Sequence, residues 1–171
     1  MSPDQAKMAL QSYCEDAERE AATTRKVLAA VPDDQGSYTP HPTSMTAIDL
    51  AFHIAASEVW FLNGVANGSF PMEESKRPAE IAKPSDVVAF YDANLGAAMA
   101  RAKATSGEDA AKIVDFFGAF QLPNFYYVNF MLKHSIHHRG QLSAYLRPMG
   151  AKVPSIYGGS ADEPFEMAAA K

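Results

Sequence analysis

Apolar residues recur at spacings of three and four along four stretches of the chain, the pattern of amphipathic helices. The first stretch runs from about Asp4 to Val31, with the stripe Leu10, Tyr13, Ala17, Ala21, Thr24 and Leu28; Pro32 to Gly36 ends it. The second runs from about Met45 to Ala66, with Ala47, Leu50, Ile54, Ser57, Phe61 and Val65 inward. Thr43 or Ser44 can cap it, and Asn67-Gly68 stops it. The third is capped by Ser85, carries Asp86 in its first turn, and buries Val88, Tyr91, Leu95, Ala98 or Met99, and Ala102. The fourth opens with Pro123 in its first turn and runs to about Pro148, with the stripe Val128, Met131, His134, His138, Leu142, Tyr145 and Met149.

The connections are uneven. Pro40 and Pro42 hold the residues before them extended. Ser69 to Lys83 is polar, contains two prolines, and is long enough for the third helix to start at the far end of a bundle. Glu108 to Phe120 reads equally as strand or short helix, with Gly118 breaking it. Four amphipathic helices without a convincing sheet predict an all-α four-helix bundle. A length of 171 residues predicts one domain over residues 1–171, with an irregular tail from about Gly150.

Histidines interrupt the fourth stripe. His134 and His138 are one turn apart, about 40° around a helix, so both point the same way. Two inward imidazoles can chelate a divalent metal. A third ligand must come from another segment, and His53, beside Leu50, Ser57 and Trp60 on the second helix, is the natural candidate. Three neutral imidazoles suit Zn²⁺ or Ni²⁺ and leave positions for water or substrate. His137 lies towards the flank, as a second group or at a pocket entrance. The competing explanation is a set of core histidines satisfied by carbonyls or Tyr hydroxyls. Glu58 reads as a base or ligand-orienting group, or as a solvated helix residue. Gln141 can hydrogen-bond a ligand, and Trp60, Tyr126 and Tyr127 line a cavity or fill the core. Arg147 either pairs with a carboxylate or holds the tail. His41, in a proline loop, reads as a surface residue.

Charge and composition narrow the partners. A net charge of −5 with a pI near 5.5 and no basic run argues against nucleic acid. The lone cysteine, Cys14, forms no intrachain disulfide and has no cation beside it in sequence to activate it. No apolar run approaches a membrane span, so a cytoplasmic protein acting on a small molecule is the expectation.

The run from His134 through His137-His138-Arg139-Gly140-Gln141 to Gly150, followed by Val153-Pro154-Ser155-Ile156-Tyr157-Gly158, resembles the C-terminal signature of the DinB family. This is the DinB/YfiT superfamily of damage-inducible-protein-like proteins, distinct from the DNA polymerase that shares the name. Leu50 to Trp60, including His53, is similar to the family's second helix, and Tyr38 to Pro42 to its lead-in. The resemblance implies an up-down-down-up bundle with a long crossover between helices 2 and 3. It implies a metal-binding triad of His53, His134 and His138, and a homodimer. Family members with assigned activity include transferases and isomerases that use a low-molecular-weight thiol, and a metal-dependent transferase or hydrolase acting on a small molecule is the expectation. A non-catalytic, metal-binding stress-response protein is the alternative.

Overall fold

The computed structural model describes residues 1–72 and 76–164. Positions 73–75 of the expected crossover and 165–171 of the tail lie outside the described residues. Four long helices dominate: α1 (Pro3–Ala29), α2 (Ala47–Asn67), α3 (Pro84–Ala104) and, after a short α4 (Gly107–Ala111) and a hairpin, α5 (Tyr126–Leu146). α1 packs against α3 and α5, and α2 packs against the same two.

Two apolar clusters fix the directions of the helices. One gathers Ala6, Leu10 and Cys14 from the start of α1 with Phe61 and Val65 from the end of α2, Ala98 and Ala102 from the end of α3, and Tyr127 and Met131 from the start of α5. The other gathers Val27 and Leu28 with Leu50 and Ile54, Val87 and Tyr91, and Leu142 and Leu146. α1 and α5 therefore run one way and α2 and α3 the other. The fold is an up-down-down-up helical bundle, and residues 68–83 carry the crossover. Among the described residues no helix is long and apolar enough to cross a membrane.

Local chemistry moves several boundaries. Thr46, not Thr43 or Ser44, caps α2: its hydroxyl oxygen accepts the Asp49 N–H at 3.3 Å, while its O–H donates to the Asp49 carboxylate at 2.6 Å. α3 opens at Pro84 with Lys83 as its N-cap residue, and the Asp86 carboxylate accepts the N–H groups of Ala82 and Lys83, each at 3.0 Å. Ser85 instead donates its N–H and hydroxyl to Asp33 at 2.8 and 2.9 Å, tying the start of α3 to the turn after α1.

The segment 108–120 is both short helix and strand. β1 (Ile113–Phe116) pairs antiparallel with β2 (Phe120–Pro123), Val114 opposite Leu122. Pro123 ends β2 rather than starting the last helix. Asn124 then anchors the chain, its side-chain amide donating to the carbonyl of Val65 at 2.9 Å. The described tail, residues 150–164, is irregular but held, with Arg147 on Asp162 at 2.8 Å and Lys26 on Glu163 at 2.5 Å. Arg147 thus pairs with a carboxylate and binds the tail at once.

Candidate metal centre

α2 and α5 lie side by side and antiparallel, which sets His53 against His134 and His138. Nε2 of His53 stands 3.1 Å from Nε2 of His134 and 3.3 Å from Nε2 of His138. The three ligand nitrogens all lie within 4.8 Å of one another. Each residue is half-buried. Burial, then the neighbouring imidazoles, hold His134 down to about 3. Burial and then His138 lower His53. Both rings are therefore neutral near pH 7, the form that ligates metals.

Proton positions follow from the outer contacts. Nδ1 of His138 lies 2.9 Å from Oε1 of Gln141. An amide oxygen only accepts, so Nδ1 carries the hydrogen and the Nε2 lone pair faces the cluster. Nδ1 of His134 is buried with no hydrogen-bond partner among the described residues.

The buried stripe of α5 does not run through the histidines. It follows Val128, Met131, Ser135, Arg139, Leu142, Tyr145 and Leu146. The histidines sit one position earlier, about 100° round the helix. That rotation puts them at the margin of the core, where a ligand can reach them.

Other candidate residues fall in different places. Glu58 is 4% exposed. It lies about 140° round α2 from His53. Its carboxylate accepts the hydroxyls of Thr24 at 3.0 Å and Tyr91 at 2.5 Å, inside the bundle and away from the cavity lining. Burial pushes it above the ordinary carboxylate range. Neither the exposed reading nor a place in the pocket fits it. Tyr127 is fully buried, donating its hydroxyl to the carbonyl of Val114 at 2.7 Å, and it too belongs to the core. Gln141 is exposed and outside the cavity lining, and acts on His138. His137 is exposed, with its ring 4.9 Å from that of His138. His41 is exposed in its loop. Cys14 is fully buried, which pushes its thiol up to about 11.

A cavity of about 900 Å³ opens beside the triad, with His53 and His134 in its lining. Trp60 lines it, with Phe116 and Phe117 of the hairpin and Phe130 of α5. Phe117 has φ of 54°, a left-handed conformation that costs a bulky residue about 1–3 kcal/mol. The turn thereby stacks its ring on Trp60, centroids 6.2 Å apart and 17° from parallel.

The DinB family description matches residues 4–166, nearly the whole chain. The chain belongs to the DinB family. Two Bacillus subtilis (strain 168) relatives, each described as an uncharacterized protein, support this. YrdA is 26% identical over 147 residues, covering 85% of this chain and 86% of YrdA. YjoA is 26% identical over 130 residues, covering 74% and 82%. Among solved structures, a DinB-like protein from Bacillus cereus ATCC 10987 superposes with a TM-score of 0.72 at 23% identity, over 86% of this chain and 97% of that one. The DinB-like YjoA structure gives 0.64 at 22%, over 80% and 91%. These structures bear on the fold alone.

The donor set of this DinB-family chain suits a divalent cation. Imidazole nitrogens bound at 2.0–2.1 Å to one tetrahedral ion stand roughly 3.3 Å apart. His53 meets both partners at close to that separation. A single proton can bridge only one such pair and would leave the third nitrogen facing a lone pair.

The residue most plainly missed from sequence is Arg139, 1% exposed. It donates to the Glu20 carboxylate, to the Tyr157 hydroxyl at 2.5 Å and to the Thr24 hydroxyl at 3.4 Å. With Glu58 and Tyr91 these groups form a polar layer between the two apolar clusters. The signal was its place in the alternative stripe, four residues beyond Ser135 and three before Leu142.

Proposed function

We propose that this chain is a divalent-metal-dependent enzyme acting on a small molecule, by transfer from a low-molecular-weight thiol or by hydrolysis. The supporting observation is that three imidazole nitrogens converge at the wall of a cavity large enough for a substrate. His53, His134 and His138 would hold the cation, Zn²⁺ or Ni²⁺. When bound, such a cation supplies a positive charge that acidifies a coordinated thiol or water. Gln141 fixes the His138 tautomer. His137, exposed beside His138, would carry a proton to and from solvent. The aromatic walls exclude water from the substrate's apolar part. A purely structural metal would have no need of that cavity. The reading extends, on the family resemblance, to a cytoplasmic homodimer.

Two measurements test this. Elemental analysis of tag-free protein should find a stoichiometric transition metal that His138→Ala loses. The metal-loaded protein should then accelerate thiol transfer to monobromobimane or chlorodinitrobenzene, or hydrolysis of activated esters. A metal-free preparation, or no rate above background with any common thiol or ester, overturns the reading.

A further inference from the structure

The cavity follows one face of α2, touching His53, Ser57, Trp60, Asn63 and Asn67. From His53 to Asn63 is ten residues, roughly 15 Å along the helix. The walls between are aromatic. At the far end Nη2 of Arg101 donates to Oδ1 of Asn63 at 2.5 Å. Arg101 is exposed and makes no ion pair with any described residue. A guanidinium offers five N–H donors in a fork that matches an anionic oxygen pair, and one amide oxygen uses few of them.

The distribution of charge points the same way. The chain carries −5 overall, yet the described residues lining the cavity include Arg101 and Lys76 and no carboxylate. A cation at one end, aromatic walls between and a histidine cluster at the other suit a ligand of matching polarity.

We infer that the cavity takes an anionic amphiphile, a molecule with a long apolar body and a carboxylate or similar monoanion at one end. The anion sits on Arg101, and the opposite end of the molecule lies at the triad. This rests on reading the cavity and the histidines as one site, but the binding step needs no metal.

Trp60 is the sole tryptophan and lines the cavity, so its emission reports occupancy. Decanoate, decanol and decyltrimethylammonium would be titrated into the metal-free full-length protein, into Arg101→Gln and into His138→Ala. Decanoate should bind at least about tenfold tighter than decanol, as a charge-assisted hydrogen bond gives. The ammonium analogue should bind weakest. Arg101→Gln should abolish the preference while leaving decanol affinity unchanged, and His138→Ala should keep it. Equal affinities, a preference that survives Arg101→Gln, or no response of Trp60 to any probe overturns the proposal. Loss of the preference in His138→Ala would put the anion on the histidines and overturn it too. Absence of metal in the native protein, by contrast, would sink the enzyme reading and leave this result standing.

Discussion

Gln141 acts on His138 from one turn further along α5, its amide oxygen 2.9 Å from Nδ1. Such outer contacts orient a metal-binding ring and raise its basicity, and losing one costs about 10–100-fold in metal affinity. Gln141→Leu should show that loss in a competition titration against a chromophoric chelator. Its melting temperature without metal should match the parent, because Gln141 is exposed.

The half-buried ring of His134, held down to about 3 against an ordinary 6.5, makes stability depend on pH. The folded protein binds fewer protons than the unfolded chain between those values. The stability is complete above 6.5 and is lost as pH falls towards 3. Urea unfolding of metal-free protein from pH 6.5 down to about 5 keeps the ordinary carboxylates ionised, and the shifted Glu58 and His53 are common to the parent and His134→Gln, so the difference between the two reports His134. The parent should weaken over that interval and His134→Gln should weaken less.

Removing the charge of Arg139 should be costly. Breaking a buried pair typically loses 3–5 kcal/mol. The Glu20 carboxylate left behind is 26% exposed and regains some water. Arg139→Met should therefore fall at the low end, about 3 kcal/mol in urea unfolding. A loss below about 1 kcal/mol would mean that the layer contributes little.

Gly64 has no side chain where the ring of Phe70 lies against α2; a β-carbon there would overlap the ring. Phe70 in turn sits 5.2 Å from Trp60 and 4.5 Å from Tyr127. Gly64→Ala should destabilise by about 1–3 kcal/mol and shift Trp60 emission as the ring moves. An unchanged spectrum would show that Phe70 does not shape this end of the cavity.

Chelation should leave the bundle folded. The triad lies at the margin, whereas both apolar clusters are built from residues other than the three histidines. Far-ultraviolet circular dichroism after EDTA should keep its helical signal, with melting shifted only by the lost binding energy. Collapse of the helical signal would point to a metal that organises the fold.

The four long helices and the long connection between the second and third were legible, because three-and-four spacing and proline clusters act locally; the direction of each helix came with the family resemblance, and the short α4 was only one of two readings of its segment. Caps were less so. Thr43, Ser44 and Thr46 are equally good caps in isolation, and only the contact with Asp49 selects Thr46. The 108–120 segment was ambiguous because its pairing depends on strand residues beyond it. Within the site, the proximity of His53, His134 and His138 followed from periodicity plus the family resemblance. The roles of Glu58 and Tyr127 did not. Both point where tertiary packing sends them, and a charged residue on a helix gives no hint that its partners are hydroxyls from two other helices. Arg101 and Phe117 reach the cavity from α3 and the hairpin, across more than thirty residues of chain from α2, with no periodic relation to it.

The polar layer also works as a ruler. An oily interface tolerates sliding, since one aliphatic contact replaces another. Arg139 tolerates none: a slip of α5 by one turn, about 5.4 Å, would carry its guanidinium off Glu20 and Thr24 and into hydrocarbon. His134 and His138 ride on the same helix, and their height opposite His53 is set by where that guanidinium must stop.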